Sequence, residues 1–344
     1  MRYFILTTRG LEDLVAAEAR SLAPAAQQVE VAYRRVLLDA SAEAASALLG
    51  LRLADDLFAL AATWQGIGKS RKTIDQLSEL AATADLGPAL ALCDELRTIE
   101  RPVRFAVSAS FVGRRNYTSP QMKLAIAAGV ESRHRWAYRD DESLDALSLR
   151  LFIEHELALF GVRLAAQPLH RRSYRAETIP GSLKPPIAAA IAQLAGAAPG
   201  RSLLDPLCGA GTILVEAALM GATVLGGDNN ADALAIARSN AHDAAVSAEM
   251  HQWDARQLPL DDASIDAVAS NLPFGRQVNP EIELEPFYSA VLSEIARVLR
   301  PGGRAALLTG APEALPDHPD LTRVAQHEIS LHGQNPLIVV LQRD

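Results

Sequence analysis

Cysteine is nearly absent from the sequence. Cys93 and Cys208 are the only two, and they form no CxxC pair, so neither a disulfide framework nor a structural zinc site is indicated. No uncharged apolar run reaches the length of a membrane span, and Met1–Arg9 is too short for a signal peptide, so a cytoplasmic protein with no membrane partner is expected. The eight histidines show no HExxH spacing, there is no GxSxG elbow, and no metal is expected. Basic charge is also short: 33 Lys+Arg against 41 Asp+Glu leave a formal net charge of −8. With 344 residues, 49% of them apolar, the chain can bury a substantial core in two or three domains.

The charge is unevenly placed. Residues 1–180 carry 23 basic against 22 acidic side chains, a net of +1, whereas 181–344 carry 10 against 19, a net of −9. Nine arginines and lysines lie between Arg97 and Arg139, opposed only by Glu100 and Glu131. That stretch reads equally well as a phosphate-binding face or as a solvated helix and loop surface.

In chain order, 3–8 reads as a strand, 11–22 as an amphipathic helix, 28–39 as a second strand, 42–51 as a helix and 56–63 as a strand. Gly66-Ile-Gly-Lys-Ser70 resembles the end of a P-loop, but Thr63 stands where that motif needs its first glycine, so the P-loop is rejected. A helical stretch over 74–97, broken near Gly87-Pro88, precedes a strand at 103–110, a basic turn at 113–117, a helix from Ser119 and two strands at 147–155 and 157–164. A basic connector follows at 168–186. Beyond it strand and helix alternate to the end of the chain, which closes with strands at 323–331 and 336–342 paired across Gly333-Gln-Asn335. The pattern is a doubly wound α/β sheet with an antiparallel C-terminal hairpin.

The organising stretch of that second half is Asp205-Pro-Leu-Cys-Gly-Ala-Gly-Thr212, a tight turn between an apolar strand and an apolar helix. Gly209 and Gly211 let a ligand lie against the backbone, and the helix opens with its N–H groups toward that gap. The nicotinamide fingerprint needs a third glycine at 214, where Leu214 stands, so a different adenosine-bearing cofactor fits better. Four successive strand ends carry Asp205, Asp228, Asp254 and Asn271. Asp228 is placed to accept from both ribose hydroxyls and Asp254 from an adenine amine. Singly each reads as a turn residue; together they outline a site. Cys208 reads more simply as a small packed residue than as a reactive thiol.

This half resembles the class I S-adenosylmethionine-dependent methyltransferases. The resemblance implies S-adenosylmethionine as cofactor, held by Asp205, Cys208, Gly209, Gly211, Thr212, Asp228, Asn229, Asp254, Ala255 and Asn271. Asn271-Leu-Pro-Phe-Gly275 resembles the Asn/Asp-Pro-Pro-Tyr/Phe signature of enzymes that methylate planar amino groups, with Leu272 in place of the first proline. An exocyclic amine on a base has its lone pair delocalised into the ring and is a poor nucleophile. The Asn271 side-chain oxygen and the Leu272 carbonyl can accept its two hydrogens, Pro273 stiffens the loop, and Phe274 can stack on an extruded base.

The first half resembles the THUMP-containing region of RNA-modifying enzymes, through Phe4–Glu12, Val103–Ser110 with its basic sequel, Leu147–Leu164 and Pro168–Arg175. The whole layout is similar to the THUMP-domain tRNA guanosine N2-methyltransferases. It implies a ferredoxin-like domain at 1–65, a THUMP domain at 66–167, a linker at 168–183 and the methyltransferase domain at 184–344. RNA, most of all the acceptor end of tRNA, is the implied partner, and a monomer is favoured. Arg114, Arg115 and Lys123, with Arg171, Arg172 and Arg175 of the connector, are candidates for RNA contacts, and Tyr117 for stacking. Kept open are transfer to guanine N2 of 23S ribosomal RNA, to adenine N6 or to a protein glutamine amide, and a catalytically silent RNA-binding protein.

Overall fold

The structure is a computed structural model that describes residues 1–141, 146–175, 177–274, 283–331 and 333–344. The chain divides into two compact units, Met1–Thr7 with Val15–Leu169, and Thr8–Leu14 with His170–Asp344.

Up to Arg163 the elements are β1 (Arg2–Leu6), α1 (Glu12–Leu22), β2 (Gln28–Ala32), β3 (Arg35–Asp39), α2 (Ala44–Leu48), β4 (Asp56–Trp64), α3 (Thr73–Thr83), α4 (Gly87–Leu96), β5 (Arg104–Phe111), α5 (Ser119–His134), β6 (Ala137–Tyr138), β7 (Leu147–Glu154) and β8 (Leu157–Arg163). The single strand expected over 28–39 is a hairpin instead, because Arg34 adopts a left-handed φ of 58° and reverses the chain. The strands form one sheet in the order β2-β3-β1-β4-β8-β7-β5-β6. The stretches 1–65 and 66–167 therefore share a sheet, joined where β4 pairs antiparallel with β8. That join is fastened by a buried ion pair: Arg163 Nε donates to Asp56 Oδ2 at 2.7 Å, and Arg163 Nη1 donates to Ser148 Oγ on β7 at 2.7 Å. Phe4, Phe58 and Phe152 pack together on one face of the sheet, with Phe4 stacked on Phe58 at 5.5 Å.

Helices α3 and α5 meet closely at Gly129. A Cβ there would lie 2.2 Å from Ser78 O and 2.8 Å from Ala81 Cβ. Helix α5 starts with a reciprocal cap, in which Thr118 Oγ1 accepts from Gln121 N and the Gln121 side chain accepts from Thr118 N.

From His170 onward the elements are α6 (Pro185–Ala195), β9 (Ser202–Asp205), α7 (Thr212–Leu219), β10 (Thr223–Asp228), α8 (Ala231–Asp243), β11 (Ala248–Gln252), β12 (Ile265–Asn271), α9 (Leu284–Val298), β13 (Leu299–Thr309), β14 (Leu321–Glu328) and β15 (Leu337–Arg343). The prolines expected to open a helix do so at Pro185, and Gly196 ends it with φ +94°. The sheet order is β11-β10-β9-β12-β13-β15-β14; the first five strands run parallel, and β15 is antiparallel to both its neighbours. This is the doubly wound, hairpin-closed sheet expected. Chain order reverses between β9 and β12, where a crevice opens outside the carboxyl ends of the strands.

Gly129→Ala is expected to destabilise the first unit by about 1–3 kcal/mol, because the added methyl overpacks the α3–α5 contact. Urea denaturation checks this, and an unchanged midpoint counts against it.

Candidate active site

Asp205 ends β9 and leads the turn into α7. Its carboxyl is buried and accepts from Ser270 Oγ at 2.7 Å and from Leu207 N at 3.2 Å. Gly209 takes a left-handed φ of 49°, and its N–H donates to Asp228 Oδ2 at 2.9 Å. Asn230 N donates to Asp228 Oδ1, also at 2.9 Å. Each Asp228 oxygen keeps a lone pair for a ligand. Gly211, with φ +78°, precedes α7, and a Cβ on it would lie 3.0 Å from Ala237 Cβ on α8, so it serves the turn and the helix contact.

These strand ends surround a cleft of about 1150 Å³. Of the residues expected to hold a cofactor, Asp205, Cys208, Gly209, Thr212, Asp228, Asn229, Asp254, Ala255 and Asn271 line it, and Gly211 does not. Burial raises the Cys208 thiol well above its usual range, which keeps it a neutral packed group. Asp254 stands just past β11, half exposed, with its carboxylate gripped by Arg256: Nη2 lies 2.6 Å from Oδ2 and Nε 3.0 Å from Oδ1. That pairing holds the Asp254 carboxyl below the usual range. Arg256 lines the cleft too, and an adenine amine reaching Asp254 must share it with this guanidinium.

Asn271 ends β12. Its Nδ2 donates to Gly181 O at 3.3 Å, whereas its Oδ1 is buried with no hydrogen-bond partner among the described residues. Leu272 is buried, and its N–H donates to Leu308 O at 2.9 Å. Pro273 O accepts from Tyr288 OH at 2.7 Å, and that fully buried hydroxyl also meets Thr309 Oγ1 at 3.1 Å. Phe274 lies over Gly310, where a Cβ would fall 2.6 Å from its Cδ2. Tyr288 and Gly310 thus fix the loop that a second proline would otherwise stiffen. Gly275 lies outside the described residues.

The connector is built into this site. Ile179–Leu183 line the cleft, and their backbone supplies the carbonyl that orients Asn271. Asn240 Nδ2 donates to both Glu177 O and Ala210 O, at 3.3 and 2.9 Å, tying the connector to the glycine turn. Glu216, fully buried on α7, accepts from Arg172 Nε at 3.1 Å and from Tyr174 OH at 2.6 Å. Arg172, expected to meet RNA, is therefore committed to a buried carboxylate. Arg171 is exposed and Arg175 half-buried.

In the first unit, Arg115 and Tyr117 also depart from expectation. Arg115 Nη1 donates to Gly68 O and to Tyr117 OH, each at 3.0 Å, and its Nη2 donates to His155 O. Tyr117 is 3% exposed and donates to Gly68 O at 2.9 Å, so its ring has no free face for a base. Arg114 is exposed and Lys123 half-buried.

Two outcomes follow from these partners. Arg172→Ala leaves the Glu216 carboxylate without its cation and is expected to cost about 3–5 kcal/mol of stability, whereas Arg171→Ala changes little; parallel denaturation curves check the contrast. Burial pushes the Asp205 carboxyl up to about 7, outweighing the Ser270 and Leu207 hydrogen bonds. The native state then holds a proton that the unfolded state, with an ordinary carboxyl, has lost, so this group's contribution to stability falls as pH rises from about 4 to 7, by up to about 1.4 kcal/mol per unit. Asp205→Asn, which retains the acceptor for Ser270, is expected to remove that decline. An identical pH–stability profile for the variant counts against the assignment.

Residues 172–331 match the UPF0020 family, described as RMKL-like, methyltransferase domain. A tRNA (guanine(6)-N2)-methyltransferase of Thermus thermophilus is 33% identical over 315 residues, covering 90% of this chain and 89% of that protein. The human tRNA (guanine(6)-N(2))-methyltransferase THUMP3 is 27% identical over 65% of this chain and 48% of its own length. The crystal structure of TrmN from Thermus thermophilus superposes with a TM-score of 0.82 at 29% identity, covering 100% of this chain and 99% of that one. The chain belongs to the tRNA (guanine-N2)-methyltransferase family, and its glycine turn, acidic strand ends and Asn271 loop lie within the RMKL-like methyltransferase domain.

Proposed function

We propose that the protein transfers a methyl group from S-adenosylmethionine to the exocyclic N2 of a guanosine in tRNA. The observation that carries this reading is the Asn271 Oδ1 atom, a buried acceptor without a partner among the described residues, on a side chain that lines the cleft formed by the cofactor-type strand ends. A buried unpaired carbonyl oxygen is costly, and an amine hydrogen from a substrate satisfies it.

The residues suit the cofactor. Gly209 offers a bare backbone, Asp228 keeps free lone pairs for ribose hydroxyls, and Ala255 and Trp253 give the cleft an apolar wall. S-adenosylmethionine, when bound, supplies an electrophilic methyl on a sulfonium. Asn271 Oδ1 accepts one hydrogen of the guanine amine and the Leu272 carbonyl the other, which localises the nitrogen lone pair. Phe274, braced at Gly310, stacks on the base and sets its plane; such stacking is worth about 1–3 kcal/mol. These two acceptors and the ring of Phe274 would hold the amine as a nucleophile toward the methyl that the cofactor would supply. Asn271 and Leu272 carry the developing positive charge on the amine until its proton passes to solvent.

The two relatives described above are named for guanine 6, and we assign this chain the same position, in the acceptor stem. Residues 66–167 are assigned as the THUMP-type RNA-binding region, 168–183 as the connector and 184–344 as the catalytic domain, in a cytoplasmic enzyme. Among the described residues no helix is long and apolar enough to cross a membrane, and no group of metal-ligating side chains occurs.

Incubation with labelled S-adenosylmethionine and unmodified tRNA, followed by nucleoside mass spectrometry, is expected to yield N2-methylguanosine. Asn271→Ala is expected to keep cofactor affinity within a few-fold while transfer falls by two or more orders of magnitude. Undiminished transfer by the variant would remove Asn271 from its role. Label in ribosomal RNA but not in tRNA would overturn the substrate.

A further inference from the structure

Two stretches of the first unit contain no acidic residue. Between Asp56 and Asp75 the charged side chains are Lys69, Arg71 and Lys72, and between Glu100 and Glu131 they are Arg101, Arg104, Arg114, Arg115 and Lys123. The fold joins them. Asn116 N donates to Lys69 O at 2.9 Å, Arg115 Nη1 and Tyr117 OH both donate to Gly68 O, and Ile67 N donates to Glu156 O at 3.0 Å. The loop Gly66–Lys72 is thus fastened through its backbone to the turn Gly113–Thr118.

That mode of attachment determines which cations are free. Arg115 is consumed as a clamp, Arg101 pairs with Asp94 and Arg104 with Glu100. Lys69, Arg71, Lys72 and Arg114 are exposed, and no ion pair is formed by any of them among the described residues. Lys69, Arg71 and Lys72 lie within four residues of one another, and the Arg115 clamp on their loop adds a further positive charge and no acidic partner, so these like charges repel. An anionic partner offsets that repulsion.

We propose that the Gly66–Lys72 loop, held against the Gly113–Thr118 turn, is a phosphate-docking surface for RNA, with Lys69, Arg71, Lys72 and Arg114 as its contacts. This rests on the tRNA reading above and adds the loop that the P-loop comparison had left without a role. The loop turns its carbonyls at Ile67, Gly68 and Lys69 to Arg115, Tyr117 and Asn116, and its Ile67 N–H to Glu156 O. It presents side-chain cations outward. Such a surface is sequence-indifferent, and its contribution shows in the salt dependence of affinity.

The test is the affinity of the full chain for an unmodified tRNA transcript between about 50 and 200 mM salt, for wild type, K69A/R71A/K72A and R114A. The triple variant is expected to bind about tenfold or more weakly at low salt, with a plot of log affinity against log salt shallower by about 2–3; R114A flattens it by about 1. Cofactor affinity and melting temperature are expected to stay at the wild-type values. If the triple variant melts early, the single variants K69Q and R71Q replace it, each expected to flatten the slope by about 1. Wild-type tRNA binding with unchanged slope and affinity in the variants overturns this surface and leaves the substrate reading standing. Failure of the wild-type protein to bind tRNA overturns both.

Discussion

The hydrogen bond from Asn271 Nδ2 to Gly181 O governs the site, because it decides which end of the amide is left to accept a hydrogen bond. An asparagine side chain has a donor end and an acceptor end of nearly equal size, and only the acceptor end helps an amine. With Nδ2 spent on a backbone carbonyl, Oδ1 is left buried with no partner among the described residues. The carbonyl that does this belongs to the connector, so the chemistry of a strand end depends on a segment ninety residues earlier in the chain. This explains why the connector is held so firmly. Glu216 on α7 accepts from Arg172 and Tyr174, and Asn240 on α8 takes the Glu177 carbonyl together with that of Ala210. Helices α7 and α8, next to the glycine turn and Asp228, are therefore the ones that hold Arg172, Tyr174 and Glu177 of the connector.

The opposite side of the loop is held by different means. Leu272 stands where related signatures carry proline, and it contributes a backbone N–H to Leu308 that proline lacks. Its rigidity comes from the Tyr288 hydroxyl on the Pro273 carbonyl and from the ring of Phe274 against Gly310. A buried phenol that holds the Pro273 carbonyl fixes the peptide after Pro273, and Leu272 keeps the N–H donor that a proline at that position would lack. Leu272 and Pro273 are thus each fixed by a backbone hydrogen bond to a buried residue, Leu308 and Tyr288.

Much of the second unit was legible in the sequence because its constraints are local. The prolines of α6, the glycine turn and the polar ends of β9, β10 and β12 each announce themselves within a few residues. What was not legible depends on contacts across long separations. Arg172 reads as one more cation in a basic connector, and its partner lies 44 residues away. One signal was available: Glu216 is the single charge in the helix Thr212–Leu219, and a buried carboxylate there requires a cation from elsewhere. Arg115 and Tyr117 were misread for a related reason. A clamp that satisfies backbone carbonyls and a surface that meets RNA use the same residue types, and composition does not tell the two apart. The sheet shared by residues 1–65 and 66–167 was hidden as well, because β4 finds its partner β8 about a hundred residues later.

Charge sets the last constraint. Residues 181–344 carry a net of −9, and the unpartnered Asn271 Oδ1 among the described residues is an acceptor, which attracts hydrogen-bond donors but repels phosphate. A polyanion is not drawn to such a site by its backbone. What the site offers is suited to a neutral, planar donor: an amide oxygen at Asn271 and an aromatic ring at Phe274. The force that retains the RNA must come from elsewhere in the chain, and the acid-free stretches of the first unit are the densest supply of unpaired cations among the described residues. Separating the two tasks has a consequence for selectivity. A site that offers one acceptor and one ring face tells bases apart weakly, and phosphate contacts carry no sequence information, so the choice of nucleotide falls to the shape of the RNA more than to its sequence.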